Sequence, residues 1–195
     1  MNRKKFFEKV NGFVSGGEWV RISHAYWIAK EAHRAQKRDC GERYFEHARR
    51  VACILIDRGG VSADEIIISL LHDCIEDTWI PGDLIGALFG VIVAESVEIL
   101  TKIIPLFDEA TGAVKEKKKK DSGAYYRAIA DAHVSARRVK LADRLDNVRS
   151  MGVWPDARIQ KYIMETERYV LPIAHATDRW FAEEIGKELK KYMTH

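Results

Sequence analysis

Cysteine and long apolar runs are both scarce in this chain of 195 residues. The 3 cysteines, Cys40, Cys53 and Cys74, include no CxxC pair and are too few for a disulfide framework, so we expect a reducing compartment. The longest apolar stretch, residues 84–94, is roughly half of the 20 residues that a membrane-spanning helix needs. The basic N-terminus also lacks the continuous apolar segment of a signal peptide. These absences predict a cytoplasmic protein with no membrane partner.

A large excess of charge of one sign is also missing. Lys and Arg total 32 against 29 Asp and Glu, which gives a formal net charge of +3. Dedicated nucleic-acid-binding domains usually carry a stronger basic bias, so we expect no nucleic-acid partner. Hydrophobic residues make up 47% of the chain and charged residues 31%, a globular composition. The length predicts one domain over residues 1–195, long enough to bury a core.

Strand signals are weak as well, because no Asn-Gly or Asp-Gly turn lies between runs of alternating polarity. Helical spacing of apolar residues runs through nearly the whole chain. Ser62 with Glu65 forms the capping-box pattern that opens a helix. The run IIISLL that follows is apolar on all sides, as in a helix inside a bundle. The sequence therefore predicts an all-α fold, a bundle of about nine or ten helices.

Breaks between the predicted helices fall at Gly59-Gly60, at Trp154-Pro155 and near Pro172. We expect a solvated loop over residues 105–123, which contain the run KEKKKK at 115–120. An alternative role for these lysines is attraction of phosphate over the mouth of a site. The expected helices cover approximately residues 19–36, 44–58, 62–78, 81–90, 91–104, 125 onward, 134–150, 156–171 and 178–193.

The densest group of ionisable side chains is the segment HDCIED at 72–77, directly after the apolar run. Burial of a charge without a partner costs several kcal/mol, and a bound metal ion would neutralise the carboxylates. On a continuous helix His72 and Glu76 share one face, as do Asp73 and Asp77, at i, i+4 spacing. The alternative interpretation is a polar last turn of a helix with surface carboxylates.

Two further elements favour a metal site. Asp143 and Asn147 stand at i, i+4 spacing, and His47 lies early in a predicted helix. Taken separately, these are also typical of an amphipathic helix and of a packing histidine. Together, His47, His72, Asp73 and Asp143 supply two imidazoles and two carboxylates, a set that suits Mn²⁺, Fe²⁺ or an ion like Mg²⁺. The open positions would hold water and a phosphate oxygen.

Four stretches of this chain resemble one known family. They are AHRAQKR at 32–38, GERYFEH at 41–47, LLHDCIEDT at 70–78 and VKLADRLDN at 139–147. In this order they resemble HD-type metal-dependent phosphohydrolases of the RelA/SpoT hydrolase type, most of all the stand-alone small alarmone hydrolases. The resemblance extends over roughly residues 20–175, and the ordered set is far more specific than a single His-Asp pair.

The resemblance implies an HD-domain helical bundle that holds one Mn²⁺ ion per chain. The ligands that it implies are His47, His72, Asp73 and Asp143. It further implies that Glu76 and Asp77 orient or deprotonate the attacking water, that Arg38 stacks on the nucleobase, and that Tyr44, Asn147 and Ser150 line the nucleotide pocket. The implied reaction removes the 3′-pyrophosphate from (p)ppGpp, the alarmone of the stringent response, and gives GDP or GTP and pyrophosphate.

Two residues depart from the family pattern where a polyanion should bind. Asp39 stands where a lysine is usual, and Asp146 stands where a histidine or a similar residue is usual. We expect both carboxylates to affect base preference and affinity more than the reaction type. Two alternatives stay open: another HD phosphohydrolase, acting on an adenine alarmone, a simple nucleotide or NADPH, and a catalytically silent nucleotide-binding sensor. A homo-oligomer also stays open.

Overall fold

Helices form most of the structure, a computed structural model that describes residues 2–108 and 114–193. The α-helices are α1 (Arg3–Asn11), α2 (Gly16–Ala32), α3 (Phe45–Arg58), α4 (Ala63–Leu71), α5 (Cys74–Asp77), α6 (Gly82–Phe89), α7 (Val91–Leu100), α8 (Ser122–Asp131), α9 (Val134–Ser150), α10 (Asp156–Glu165), α11 (Leu171–Thr177) and α12 (Arg179–Met193). None of these helices is long and apolar enough to span a membrane. The predicted all-α fold class is confirmed.

The start of α4 is set by the capping box that the sequence predicts. The Ser62 hydroxyl accepts a hydrogen bond from the Glu65 amide at 3.1 Å, and the Glu65 carboxylate accepts one from the Ser62 amide at 2.7 Å. A second capping box, between Ser15 and Glu18, starts α2 earlier than the predicted residue 19. Because these side chains satisfy backbone groups at the helix ends, they fix where each helix begins.

Helix α4 lies at the centre of the bundle and ends at its polar edge. Every residue of α4 except Asp64 is buried. It packs against α2, α3, α7 and α9, and burial of its isoleucines and leucines stabilises the fold by about 25 cal/mol per Å² of apolar surface. The C-terminal end of α4, the first turn of α3 and the middle of α9 are therefore held close together, and each of them carries polar residues.

A β-hairpin occupies much of the segment 105–123, where we expected a loop. Strands β1 (Ile103–Phe107) and β2 (Val114–Lys119) are antiparallel, with Ile103 opposite Lys119. The lysine run therefore lies mostly in an extended strand. Lysine is common on exposed strand edges, since its charge discourages pairing with another chain, and both strands of a two-stranded ribbon are edges.

The hairpin also shortens the helix that was expected over 91–104. Helix α7 ends at Leu100, because the β-branched residues Ile103 and Ile104 favour the extended conformation of β1. Residues 109–113 lie outside the described residues. The expectation of a helix up to Pro105 was therefore wrong by one turn.

The segment that follows α4 is not the continuous helix that the i, i+4 argument assumed. The backbone leaves helical geometry at Asp73 (φ −101°, ψ 0°), and the short helix α5 follows. The Asp77 amide still donates to the Asp73 carbonyl at 3.0 Å. The i, i+4 relation of His72 and Glu76 therefore spans a break in the helix, and the two side chains have separate partners.

The predicted break near Pro172 was wrong as well. Helices α10 and α11 are joined by a π-helical segment, Thr166–Val170, and Pro172 lies in the first turn of α11. A wider π turn lets the chain pass a proline, whose ring would otherwise clash with the preceding turn. The interruption falls instead at Asp178, between α11 and α12 (φ −159°, ψ 105°).

Candidate metal centre and adjoining pockets

Four side chains point toward a common centre from α3, the end of α4, the break after it and α9. The Nε2 atom of His47 lies 3.3 Å from Oδ1 of Asp143 and 3.8 Å from Oδ2 of Asp73. The Nε2 atom of His72 lies 3.0 Å from Oδ2 of Asp73 and 3.8 Å from Oδ1 of Asp143. The structure thus brings together all four residues that the sequence suggested as metal ligands. We call these four residues the metal centre.

Each histidine of the metal centre has one ring nitrogen engaged elsewhere. Nδ1 of His72 lies 2.8 Å from the Ser69 carbonyl oxygen, and Nδ1 of His47 lies 2.7 Å from Oδ2 of Asp146. Nε2 of His72 is buried, and its 3.0 Å approach to Asp73 lacks the geometry of a hydrogen bond. A buried polar atom is nearly always satisfied, so this nitrogen fits a role as a metal ligand.

The separations in the metal centre fit a single divalent ion. Two adjacent ligand atoms about 2.1 Å from an octahedral ion lie about 3 Å apart. The shortest nitrogen–oxygen distance in the metal centre, between His72 and Asp73, is 3.0 Å. Ligand atoms of His47, His72 and Asp73 all lie within 4.8 Å of one another. Two imidazoles and two carboxylates leave positions open on such an ion, unlike a closed thiolate zinc site.

The two carboxylates of the metal centre are held as anions. Burial alone would raise the pKa of each, but positive groups outweigh it. The His72 imidazole lowers the pKa of Asp73. The Lys140 ammonium, 2.9 Å from Oδ2 of Asp143, holds the pKa of Asp143 well below its usual range. The Tyr44 hydroxyl also donates to Asp73 at 2.7 Å, so both carboxylates are oriented as well as charged.

Glu76 and Asp77, the predicted acidic pair, have different surroundings. The Oε2 atom of Glu76 accepts hydrogen bonds from two backbone amides at the start of the hairpin, at 2.7 and 3.0 Å. Burial, and after it the negative charge of Asp73, raises the pKa of both carboxyl groups. Glu76 lines the cavity beside the metal centre, whereas the Asp77 carboxylate lies 3.8 Å from the Lys117 ammonium on β2.

The cavity beside the metal centre, here called the inner cavity, has a volume of about 170 Å³ and is lined by Lys102, Lys140 and Arg144. Glu165 accepts hydrogen bonds from Lys102 at 2.9 Å and from Arg144 at 3.0 Å. Four carboxylates, those of Asp73, Glu76, Asp143 and Glu165, line the same cavity. A divalent ion at the metal centre would leave a net positive charge there, and the three cations would then help to hold an anionic ligand such as a phosphate group. Sequence reasoning missed these cations, although Lys140 and Arg144 stand within VKLADRLDN. Nothing local singles out Glu165.

A second cavity of about 290 Å³, here called the outer cavity, adjoins the inner one. The two cavities share three lining residues, which are Tyr44, Asn147 and Tyr162. The other residues that line the outer cavity are Lys37, Arg38, Asp39, Trp154 and Arg158. An inner cavity with three cations, joined to an outer cavity with aromatic walls, suits a ligand with phosphates at one end and a ring at the other.

Arg38 reaches the outer cavity from a tight turn between α2 and α3. Its amide donates to the Glu42 carbonyl at 2.8 Å, and Gly41 adopts a φ of 82°, which favours glycine. The Arg38 guanidinium donates to Oδ1 of Asn147 at 2.6 Å and to Oγ of Ser150 at 3.4 Å. Of the predicted pocket residues, Ser150 touches Arg38 but does not line the outer cavity.

The two acidic departures from the family pattern both have cationic partners. Asp39 accepts a hydrogen bond from Arg158 at 2.7 Å, and that guanidinium lies 4.0 Å from the centre of the Trp154 ring. Asp146 is buried and accepts a hydrogen bond from Arg50 at 2.7 Å. Each carboxylate is therefore paired with a cation in the structure.

Curated proteins of several bacteria are similar to this chain. The guanosine-3′,5′-bis(diphosphate) 3′-pyrophosphohydrolase of Aquifex aeolicus is 38% identical over 162 residues, 82% of this chain and 22% of that relative. The bifunctional (p)ppGpp synthase/hydrolase SpoT of Escherichia coli is 38% identical over 160 residues, 80% and 21% respectively. The GTP pyrophosphokinase rsh of Brucella melitensis is 35% identical over 193 residues, 98% and 24% respectively. The chain thus spans less than a quarter of the length of these relatives.

A solved structure shares the fold over nearly its whole length. It belongs to a metazoan orthologue of SpoT that is described as hydrolysing ppGpp and as having a role in starvation responses. The TM-score is 0.72 at 21% identity, over 92% of this chain and 97% of that one. A model of the HD domain family matches residues 25–180, which include the whole metal centre. The protein that carries this set of two histidines and two aspartates belongs to the HD domain family.

Proposed function

We propose that this protein is a metal-dependent hydrolase that removes the 3′-pyrophosphate from (p)ppGpp-like alarmone nucleotides and gives GDP or GTP and pyrophosphate. The observation that carries the proposal is the metal centre, which opens into the inner cavity with its three cations and, through it, into the outer cavity with its aromatic walls. The metal centre suits hydrolysis, and the two cavities suit a nucleotide with an added diphosphate. The substrate class is that named for the relatives of this chain.

The metal centre would hold one divalent ion, which we propose is Mn²⁺. When bound, such an ion lowers the pKa of a coordinated water and offsets charge on a phosphoryl oxygen. His47 and His72 would each present Nε2, because Nδ1 of each ring is engaged by Asp146 or by the Ser69 carbonyl. Mixed nitrogen and oxygen ligands suit manganese better than they suit a structural zinc ion.

Glu76 is the residue proposed to take the proton from the attacking water. Its Oε2 atom accepts hydrogen bonds from two backbone amides at the start of the hairpin. The other oxygen, Oε1, is therefore proposed to face the attacking water. Burial raises the pKa of Glu76, and a general base works best when its pKa approaches the working pH. Asp77 is proposed to assist by orienting the water from the rim, where Lys117 lies beside it.

The nucleobase is proposed to occupy the outer cavity, against the Arg38 guanidinium. Asn147 and Ser150 hold that guanidinium by accepting its hydrogen bonds, and Tyr44 forms the wall between the cavities. A planar guanidinium stacks well on a purine face. Lys102 and the other cations of the inner cavity would then offset the charge of the pyrophosphate group.

We extend the proposal to the chain as a whole. Residues 1–195 are proposed to act as one HD hydrolase domain, of which the family match covers 25–180. We also propose a location in the cytoplasm, which agrees with the absence of a disulfide among Cys40, Cys53 and Cys74. Neither a nucleic acid nor a membrane is proposed as a partner.

A substrate panel tests the proposal. The purified chain with Mn²⁺ is incubated with ppGpp, ppApp, NADPH and GTP, and the released pyrophosphate or phosphate is measured. We expect pyrophosphate release from ppGpp with a kcat/KM well above that for the other compounds, and none from the Asp73→Ala variant. Faster release of pyrophosphate from ppApp, or of phosphate from NADPH, would identify the protein as a hydrolase of adenine nucleotides instead. No turnover of any compound, with nucleotide still bound, would support a sensor and overturn the proposal.

A further inference from the structure

Asp146 occupies an unusual position for a carboxylate in this fold. It lies on α9, close to the metal ligand Asp143, and only 4% of its surface is exposed. Its Oδ2 atom lies 2.7 Å from Nδ1 of His47, and its Oδ1 atom accepts a hydrogen bond from Nε of Arg50 at 2.7 Å. The Arg38 guanidinium lies 3.5 Å from the same carboxylate. Asp146 therefore contacts both a residue of the metal centre and the arginine of the outer cavity.

The contact with His47 determines which ring nitrogen is available. A carboxylate can only accept a hydrogen bond, so the proton must be on Nδ1 of His47. The Nε2 atom is then the ring nitrogen left for a metal ion, and it faces Asp143 and Asp73 at 3.3 and 3.8 Å. The other tautomer would place a proton where a metal ion should be coordinated. Partners of this kind commonly orient metal-binding histidines.

The two arginines explain why a buried carboxylate is tolerated beside the metal centre. Arg50 donates to both oxygens of Asp146, at 2.7 and 3.2 Å, and also to Glu42 at 2.6 Å. Burial of an unpaired carboxylate is costly, whereas one that accepts several charge-assisted hydrogen bonds is stable. The aspartate is thus held by Arg50 as well as by His47, which fixes its oxygens in place.

We propose that Asp146 is a positioning residue that holds His47 with Nε2 facing the metal ion and, through Arg38, links the metal centre to the outer cavity. The inference rests on the metal site of the proposed function, but not on the substrate. It assigns a use to a residue that departs from the family pattern, and that the sequence suggested only as a source of repulsion. A neutral residue of similar size at this position would leave His47 free to adopt either tautomer.

Three variants separate positioning from general stability. Asp146→Leu removes the acceptor, whereas Asp146→Asn keeps one acceptor oxygen but can also present its NH₂ group to His47. Glu42→Gln is the matched control, because Glu42 shares Arg50 with Asp146 and does not touch His47. The Kd for Mn²⁺ is measured by calorimetry on chelator-stripped protein. The melting temperature is measured in EDTA, and the His47 tautomer by long-range ¹H–¹⁵N NMR.

We expect Mn²⁺ to bind about 10–100 times more weakly to Asp146→Leu, as is typical when the partner of a metal-binding histidine is lost. Asp146→Asn should lie between this variant and the wild type, and Glu42→Gln should stay within about twofold of the wild type. The metal-free wild type should show His47 protonated at Nδ1, and Asp146→Asn should show a mixture. Because Asp146→Asn preserves size, it keeps the test informative if Asp146→Leu does not fold.

Two results would overturn the inference. One is a lower melting temperature in EDTA with an unchanged Kd for Mn²⁺ in Asp146→Asn, which would make Asp146 a purely structural residue. The other is a wild-type His47 that carries no proton on Nδ1. Failure of the proposed function would look different: Mn²⁺ would still bind and weaken in the Asp146 variants, while ppGpp would release no pyrophosphate.

Discussion

The metal centre includes two residues of the segment 72–77, and the β1–β2 hairpin contacts the same segment at Glu76 and Asp77, yet the two are held in different ways. His47, His72 and Asp143 are buried, and each has a second contact that fixes its orientation: Asp146, the Ser69 carbonyl and Lys140 respectively. The lysines of β2 at 115–119 are exposed. The hairpin contacts the site in two ways. Backbone amides at its start donate hydrogen bonds to Glu76, and Lys117 forms an ion pair with Asp77 at 3.8 Å.

We infer from this difference that the residues of the metal centre take part in the reaction, whereas the residues of the hairpin only adjust its rate or the binding of the substrate. Removal of one partner from a buried charged network costs about 3–5 kcal/mol, because the other charge is left without compensation. An exposed ion pair contributes about 0–1 kcal/mol and weakens as salt rises. We therefore expect large, all-or-none effects at the metal centre and small, salt-dependent effects on the hairpin. The predictions below follow this order.

The largest effect is expected from loss of a ligand of the metal centre. Asp73→Ala, His47→Ala and Asp143→Ala should each lose the bound metal, and activity should fall at least about 10³-fold, the upper range for loss of one electrostatic group in an active site. Elemental analysis and pyrophosphate release on the same samples check this. Full metal occupancy in all three variants would show that the ion binds elsewhere.

Glu76→Gln should give the next largest effect. Glutamine keeps an oxygen to accept the two hairpin amides but cannot take a proton, so kcat should fall about 10²–10⁴-fold while the metal is retained. Steady-state kinetics with metal analysis on the same samples measures both quantities. An unchanged kcat at saturating ppGpp would remove Glu76 from the mechanism and leave it as an anchor for the hairpin.

The pH dependence of kcat should show the same base. Burial raises the pKa of Glu76, so its proton-accepting form exists above that raised pKa and is lost as the pH falls through it. We expect kcat to drop about tenfold per pH unit on the acidic side. This acidic limb should be absent from the residual activity of Glu76→Gln. The same limb in both proteins would assign it to another group.

Arg38→Ala should affect binding rather than chemistry. Stacking on a base is worth about 1–3 kcal/mol, so KM should rise roughly 10–100-fold with little change in kcat. Arg38→Lys should recover little, because an ammonium lacks the planar face and the paired donors that reach Asn147 and Ser150. A fall in kcat at constant KM would contradict the assignment of the outer cavity to the nucleobase.

Lys117→Ala should give the smallest effect. Loss of an exposed ion pair with Asp77 should change KM by less than about fivefold, and the change should shrink at high salt. Lys118→Ala is the matched control, because adjacent strand residues point to opposite faces. A fall in kcat of a hundredfold or more would place the hairpin among the chemically essential elements and break the comparison with the metal centre.

Much of the metal centre could be predicted from the sequence, because its residues stand in short helical motifs. Helix α9 has the predicted bounds, 134–150, and the four suggested ligands meet at one place. Where prediction failed, a contact distant in sequence decided the structure. Glu76 anchors the hairpin by accepting a hydrogen bond from the backbone amide of Lys102, which lies 26 residues further along the chain. No local sequence pattern indicates that contact.

The polar surroundings of the metal centre were harder to predict for the same reason. Asp146 was interpreted as a repulsive charge, because its partners Arg50 and His47 lie 96 and 99 residues away along the chain. Glu165 holds Arg144 from beyond the break at Trp154-Pro155. Pro172 suggested a break that the π-helical segment before it removes. Each of these outcomes depends on tertiary packing rather than on local propensity.

The central claim is that one metal ion, held by the metal centre, drives pyrophosphate release. The most direct measurement is a titration of chelator-stripped wild-type protein with Mn²⁺, in which pyrophosphate release from ppGpp is followed at each addition and Asp73→Ala serves as the control. Activity should be absent at the start, rise linearly and reach a plateau at one ion per chain, while the control stays inactive. Full activity in the stripped protein, or equal activation of Asp73→Ala, would contradict the account.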